Sequence, residues 1–347
     1  MKNLGYWLLK FWIKAGLHLY YGKIKISGLM HVPKNKPVLF LPNHQGALMD
    51  VLLIVTDCRR KPFFLTRSDV FQRAALKKFF TFLRMLPIYR IRDGRESLKK
   101  NKAVFDTCTQ LFRKNHALVM FPEANHNLKR RIRPLSKGFI RIVFNTLEQI
   151  PQSEIHIVPV GMNYRNITGF PDKVALYYGA PISAKGFSDS NGGQKEVNLL
   201  KDAVSASLKT LTTHIEDDDE YDKTIQNLDA QRIDYLNPKA TNAAIKNESP
   251  LFVEQKELSQ VPFLHSISKG IFTILNYPVI RIWQLWIKPK VWEPEFTSTV
   301  RFGFALLAYP IYYLILLMAI TAIGNLLVGL AFITALFLFN WGYVRLN

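Results

Sequence analysis

The sequence predicts an α/β fold, a mostly parallel mixed sheet with flanking helices, preceded by one amphipathic helix and followed by an apolar helical hairpin. Three observations carry this. Short β-branched and aromatic runs alternate with helical-period segments between Lys23 and Ser183. Two of those runs, Val38-Leu39-Phe40-Leu41 and Ala117-Leu118-Val119-Met120-Phe121, empty directly into polar clusters, as strands of an open α/β sheet do at their carboxyl ends. No charged residue occurs from Phe302 to Val344.

Composition narrows the classes. The 347 residues leave room for one large domain or two smaller units. The formal charge of +20 is unevenly placed: residues 1–140 hold 28 Lys and Arg against 7 Asp and Glu, and the remainder is close to neutral. A basic surface attracts nucleic acid, an anionic membrane or phosphorylated small molecules. The apolar tail favours the membrane, and no aromatic-basic motif of a nucleic-acid module is present. Cys58 and Cys108 make no disulfide framework and read as buried small hydrophobes in a reducing compartment. His116, His126 and His156 lack metal-type spacing with a fourth partner, so no metal is expected.

Taken in order, residues 1–22 interleave Tyr6, Trp7, Phe11 and Trp12 with Lys2, Lys10 and Lys14, the pattern of a membrane-interfacial helix. Residues 23–183 form the sheet domain. After Lys23 to Ile26 and Val38 to Leu41 come an apolar helix (47–55) and a strand at 61–66. A basic amphipathic helix (69–84) and an extended piece (86–92) follow, the latter ending at the Asp93-Gly94 turn. A helix at 97–114, the strand from Ala117, a helix entered through Ser136-Lys137-Gly138, and strands at 155–161 and 174–179 complete the domain. Residues 184–265 read as a polar helical connector containing a helix at 195–215 and a solvated acidic run, Glu216 to Glu220. Residues 266–347 read as a membrane-anchoring region. A span needs about 20 apolar residues, so two transmembrane helices are expected at 302–323 and 326–344. Lys288, Lys290, Arg301 and Arg345 place both ends, and with them the main domain, on the cytoplasmic face.

The candidate chemistry sits at the strand ends. His44 follows the strand at 38–41, and Asp50 lies six residues on. Imidazole titrates near neutrality and a carboxylate can fix its tautomer, which is the minimum equipment for taking a proton from a hydroxyl. A backbone-satisfied loop histidine followed by a helix-start aspartate is the plain structural alternative. At the second strand end Pro122-Glu123-Ala124-Asn125-His126 leads into Lys129-Arg130-Arg131-Ile132-Arg133.

These residues together resemble the glycerolipid acyltransferase family, which includes the 1-acylglycerol-3-phosphate acyltransferases. Asn43-His44-Gln45 with Asp50 is similar to the family's first block, and Leu86-Pro87-Ile88-Tyr89-Arg90 to its second. Phe121-Pro122-Glu123 is similar to the start of the third, F-P-E-G-T-R, and Val158-Pro159-Val160 to the fourth. The resemblance covers roughly residues 20–183. Five residues separate His44 from Asp50, where the family has four, and Ala124, Asn125 and His126 replace Gly, Thr and Arg. The His therefore belongs in a loop that absorbs the extra residue.

The resemblance implies a membrane-bound O-acyltransferase of lipid biosynthesis. It would move an acyl chain from acyl-CoA or acyl-carrier protein, as co-substrate and without further cofactor, to the hydroxyl of a lysophospholipid. His44 is the implied base and Asp50 its partner. Asn43, Gln45, Arg90, Glu123, Asn125, His126, Arg130, Arg133, Lys137 and Gly138 are implied substrate contacts. Glu123 is expected to position an acceptor hydroxyl or a basic side chain. Alternatives are a phosphate-free lyso-aminolipid or glycerol-3-phosphate as acceptor, and a non-catalytic basic protein that binds membrane or nucleic acid.

Overall fold

The computed structural model describes residues 2–71, 78, 80–90, 96, 99–187, 193–246 and 262–347. The expected Asp93-Gly94 turn, the start of the helix at 97–98, most of the loop at 188–193 and the middle of the expected helix at 69–84 lie outside the described residues, as does 247–261 of the connector.

The chain opens with α1 (Lys2–Tyr20) and runs into β1 (Tyr21–Ser27), β2 (Val38–Pro42), α2 (Leu48–Asp57), β3 (Phe63–Arg67) and β4 (Met85–Ile88). Next come α3 (Asn101–Arg113), β5 (Ala117–Met120), α4 (Gly138–Gln149), β6 (His156–Tyr164), β7 (Asp172–Tyr178) and β8 (Ile182–Ser183). All eight strands form one sheet in the order β1-β7-β6-β2-β5-β3-β4, with β8 on β6. Strands β6, β2, β5, β3 and β4 are parallel, whereas β7 turns antiparallel to β6 and carries β1 parallel to itself. The expected α/β architecture is thus present, and its mixed character resides in β7, β1 and β8.

Strand alternation explains the two cores. Along β2, Val38 and Phe40 face one layer, with Leu17 of α1, Met49 and Leu53 of α2, and Val119 and Val158. Leu39 and Leu41 face the other, with Cys108 of α3, Phe139 and Val143 of α4 and Leu200 of α5 (Gln194–Leu211). Every β2 residue is buried, as expected of a parallel strand covered on both faces. Each such side chain contributes about 1.5–3 kcal/mol through burial.

After α5 the connector folds back on the domain rather than trailing from it. It contains α6 (Tyr221–Ala230) and α7 (Pro238–Ile245). Ile215 N–H donates to Arg130 O, Arg130 N–H donates to Tyr221 Oη, and Ile132 N–H donates to His214 Nδ1 at 3.0 Å. The acidic run is only partly solvated, since Asp218 pairs with Lys129 and Arg131.

The tail forms α8 (Pro262–Leu275), α9 (Tyr277–Ile282), α10 (Thr297–Ile323) and α11 (Leu326–Leu346). Helices α10 and α11 are long and apolar enough to cross a membrane. They meet at Gly324-Asn325, where Asn325 Oδ1 accepts from Val328 N–H as a helix cap. Asn276 and Asn340 exchange side-chain amide hydrogen bonds at 2.8 and 2.9 Å, pinning the α8–α9 junction to α11. The hairpin is docked on the sheet domain: Ser298 Oγ donates to Ile167 O, and Arg301 donates to Thr168 O and Gly169 O.

Two loops leave the sheet through alanines in unusual conformations, Ala47 at φ 46° and Ala124 at φ 65°. A Cβ is disfavoured at positive φ. Replacing Ala124 by Gly should therefore raise the melting temperature, with a gain of about 1 kcal/mol, and leave the loop unchanged; circular dichroism melting checks this. A second expectation concerns acid. Burial holds the His214 imidazole down to about 4 from an ordinary 6.5, with Lys209 and Arg131 acting in the same direction. Between those values the unfolded chain binds a proton that the folded chain refuses, so stability falls as pH drops through that window. His214→Asn keeps an acceptor for Ile132 N–H without titrating, and its melting temperature should fall less between pH 7 and 4 than that of the wild type.

Candidate active site

The two polar clusters are neighbours because β2 and β5 are adjacent and parallel. Pro42 ends β2, and Asn43 then extends the ladder with its side chain. Its Nδ2 donates to Met162 O at 3.1 Å, and its Oδ1 accepts from Met162 N–H at 2.7 Å, so the amide imitates one more peptide. This holds the next residue, His44, at a fixed place over the strand end.

His44 Nδ1 lies 2.8 Å from Asp50 Oδ2. Asp50 is in the first turn of α2 with no exposed surface, while the His44 side chain is 16% exposed. The same Oδ2 accepts the N–H groups of Gln45 at 3.0 Å and Gly46 at 2.9 Å, and Oδ1 accepts from Tyr164 Oη. A carboxylate at Nδ1 fixes the proton there and leaves Nε2 as the basic edge of the ring. The ring is stacked on Phe121 with centroids 4.0 Å apart and meets the edge of His126 at 5.6 Å. His44 thus sits in the loop ahead of the helix, as the spacing requires, and the Gly46-Ala47 turn takes up the extra residue.

Glu123 joins the two loops. Its Oε1 accepts from His44 N–H at 3.2 Å, and Oε2 accepts from Arg133 Nε at 2.8 Å and Arg133 N–H at 3.3 Å. Burial pushes the carboxyl above its ordinary range, and Arg133 opposes that rise. Of the two expected roles, positioning a basic side chain is the one the geometry displays. Asn127 N–H closes the ring of contacts on His44 O at 3.0 Å.

Several implied substrate contacts occupy other places. Asn43 is committed to β6, and Gln45 Nε2 donates to Leu128 O and Lys129 O, bracing the basic loop. Arg130 is turned away from His44: it donates to Tyr164 O at 2.8 Å and Arg165 O at 2.9 Å and lies 3.7 Å over the Tyr235 ring. Arg133 bonds Glu123 and Asn125 O. Arg90 follows the edge strand β4 and pairs with Asp69 at 3.5 Å. Lys137 donates to Gln194 Oε1 at 3.0 Å, towards α5. Gly138 begins α4, where a Cβ would stand 2.7 Å from the flexible end of Met120. Of the implied contacts, His126 remains beside the His44 ring, with Glu123 behind it.

Four residues escaped the sequence reading. Tyr164 carries no motif and lies three residues beyond the strand expected at 155–161, which continues to it as β6. Glu293 Oε2 lies 2.7 Å from His126 Nε2, 167 residues away in the chain, and Phe296 packs edge-on against His126 with centroids 4.9 Å apart. His126, Glu293 and Glu295 bring ligand-type atoms within 4.8 Å of one another, a set that no local spacing reveals.

Residues 23–163 match the family model described as Acyltransferase. The chain is 24% identical over 148 residues to a chloroplastic 1-acyl-sn-glycerol-3-phosphate acyltransferase of Brassica napus, covering 42% of this chain and 40% of that one. It is 26% identical over 109 residues to glycerol-3-phosphate O-acyltransferase 1 of Saccharomyces cerevisiae, covering 30% and 14%. An uncharacterised acyltransferase of Schizosaccharomyces pombe is 30% identical over 70 residues, covering 20% and 10%. The chain therefore spans less than half the length of these curated relatives. A crystal structure of the 1-acyl-sn-glycerophosphate acyltransferase of Thermotoga maritima superposes with a TM-score of 0.40 at 19% identity, over 57% of this chain and 76% of that one. Both strand-end loops lie within the segment 23–163 that matches the Acyltransferase model.

Proposed function

We propose that the chain is a membrane-held O-acyltransferase that moves an acyl group from a thioester, acyl-CoA or acyl-carrier protein, to the hydroxyl of a lysoglycerolipid such as 1-acylglycerol-3-phosphate. The observation that carries the reading is the 2.8 Å contact of His44 Nδ1 with the buried Asp50, at the mouth of a parallel sheet. His44 Nε2 takes the acceptor's hydroxyl proton as its oxygen attacks the thioester carbonyl. The carbon–sulfur bond then breaks, and the imidazolium returns the proton to the departing thiolate. Asp50 stabilises the imidazolium meanwhile. A thioester is already an activated donor, so no acyl-enzyme and no cofactor is required.

Placement on a membrane is supported by α10 and α11 and by the exposed Leu4, Trp7, Leu8, Phe11 and Trp12 of α1, which packs against the base of the hairpin. Arg301 and Arg345 at the domain end of the hairpin support a cytoplasmic site. A second acceptor is favoured by one contact: Glu293 places a carboxylate on His126 where the resembling family has Arg. With Arg130 and Arg133 bonded elsewhere, that carboxylate suits an ammonium-bearing lysolipid better than a phosphomonoester.

In phospholipid vesicles, the purified protein should transfer acyl chains from acyl-CoA to a lysolipid, and His44→Ala should lower kcat about a thousand-fold while keeping fold and vesicle binding. Full activity in His44→Ala refutes the mechanism. Lysophosphatidic acid and an ammonium-bearing lysolipid, compared by kcat/KM, separate the two acceptors.

A further inference from the structure

We propose that Tyr164 is a positioning residue that acts on His44 through Asp50, an inference that rests on reading that pair as the proton-transferring group. Tyr164 ends β6, and its ring is enclosed beside Tyr21. Its hydroxyl donates to Asp50 Oδ1, while the three donors of the His44 loop all converge on Oδ2. With only one oxygen held, a carboxylate can still swing about its last bond. With both held, the plane of the Asp50 carboxylate is fixed and Oδ2 stays on the Nδ1 edge of the imidazole.

Two further features serve this contact. A Cβ at position 46 would lie 2.8 Å from Asp50 Oδ1 and 3.0 Å from Tyr164 Oη, so glycine at 46 is what lets the two oxygens meet. The strand end that carries Tyr164 is gripped from outside by Arg130, through Tyr164 O and Arg165 O, and Arg130 is itself held under Tyr235 of the connector. The phenol is a dependable donor, because burial and the neighbouring Asp50 keep it protonated well above its ordinary range. Tyr164 does not reach the substrate side of the ring, so its effect passes through Asp50.

A double-mutant cycle of Tyr164→Phe and Asp50→Asn tests this, with steady-state transfer measured in vesicles on the full chain. On the wild-type background Tyr164→Phe should lower kcat about 10-fold, with both KM values within about two-fold. On the Asp50→Asn background the same change should alter kcat less than about two-fold. Gly46→Ala, whose Cβ would press on both oxygens, is the second variant; it should cost more on the wild-type background than on Tyr164→Phe, where the contact with Oη is gone and that with Asp50 Oδ1 remains. Thermal melting confirms that each variant is folded. Equal losses on both backgrounds, or none on the wild-type background, overturn the proposal. Asp50→Asn at the full wild-type rate instead overturns the reading of the pair itself.

Discussion

Four hydrogen bonds converge on the Asp50 carboxylate, and the rest of the site is arranged so that they can. A carboxylate without solvent contact is tolerated only where donors replace its water. Here two donors are backbone N–H groups of consecutive residues, Gln45 and Gly46, so the loop has to curl around the acid before α2 begins. That curl accommodates five intervening residues instead of four, at the expense of a positive φ at Ala47. The imidazole and the phenol arrive from opposite sides and complete the shell. The acid needs no neighbouring cation, which leaves the field at His44 to the acid and whatever substrate enters.

The second strand end is tied to the first by a different acid. Glu123 bonds the His44 backbone with one oxygen and Arg133 with the other, so the basic loop and the His44 loop move as one piece. Positive charge near the site is thereby converted into scaffold. Lys129 and Arg131 reach Asp218, Arg130 lies under Tyr235 and Arg133 holds Glu123. The excess of cations in residues 1–140 describes the outer surface better than it describes the mouth of the site.

What could be read in the sequence and what could not divides along physical lines. Val38 to Leu41 and Ala117 to Met120 are short apolar runs bounded by turn residues, and both are strands that deliver their loops to the same edge. The His44 and Asp50 pair was legible because six residues of local chain suffice to form it. The order of strands was not, since the apolar pattern of β7 is the same whichever way it runs beside β6. Individual directions within Lys129 to Arg133 were equally hidden. Four cations in five residues announce charge, while the hydrogen-bond targets of their side chains lie 8 to 89 residues away. The resemblance of Asn43-His44-Gln45 to a family block implies a substrate contact at Asn43, yet its amide stands in for a missing ladder bond. Tyr164 was silent for the opposite reason, being an aromatic at the end of a core strand whose one polar atom meets an acid 114 residues away.

The first turns of α10 and the segment before it form part of the wall around the site. Phe296 borders His126, Thr299 approaches Gly46 O at 3.5 Å, and Ser298 and Arg301 grasp the β6–β7 loop. A fragment trimmed ahead of residue 291 to remove the apolar helices would lose part of the masonry around His44. The ring of His126 would lose its neighbours Glu293 and Phe296 and lie bare on that side.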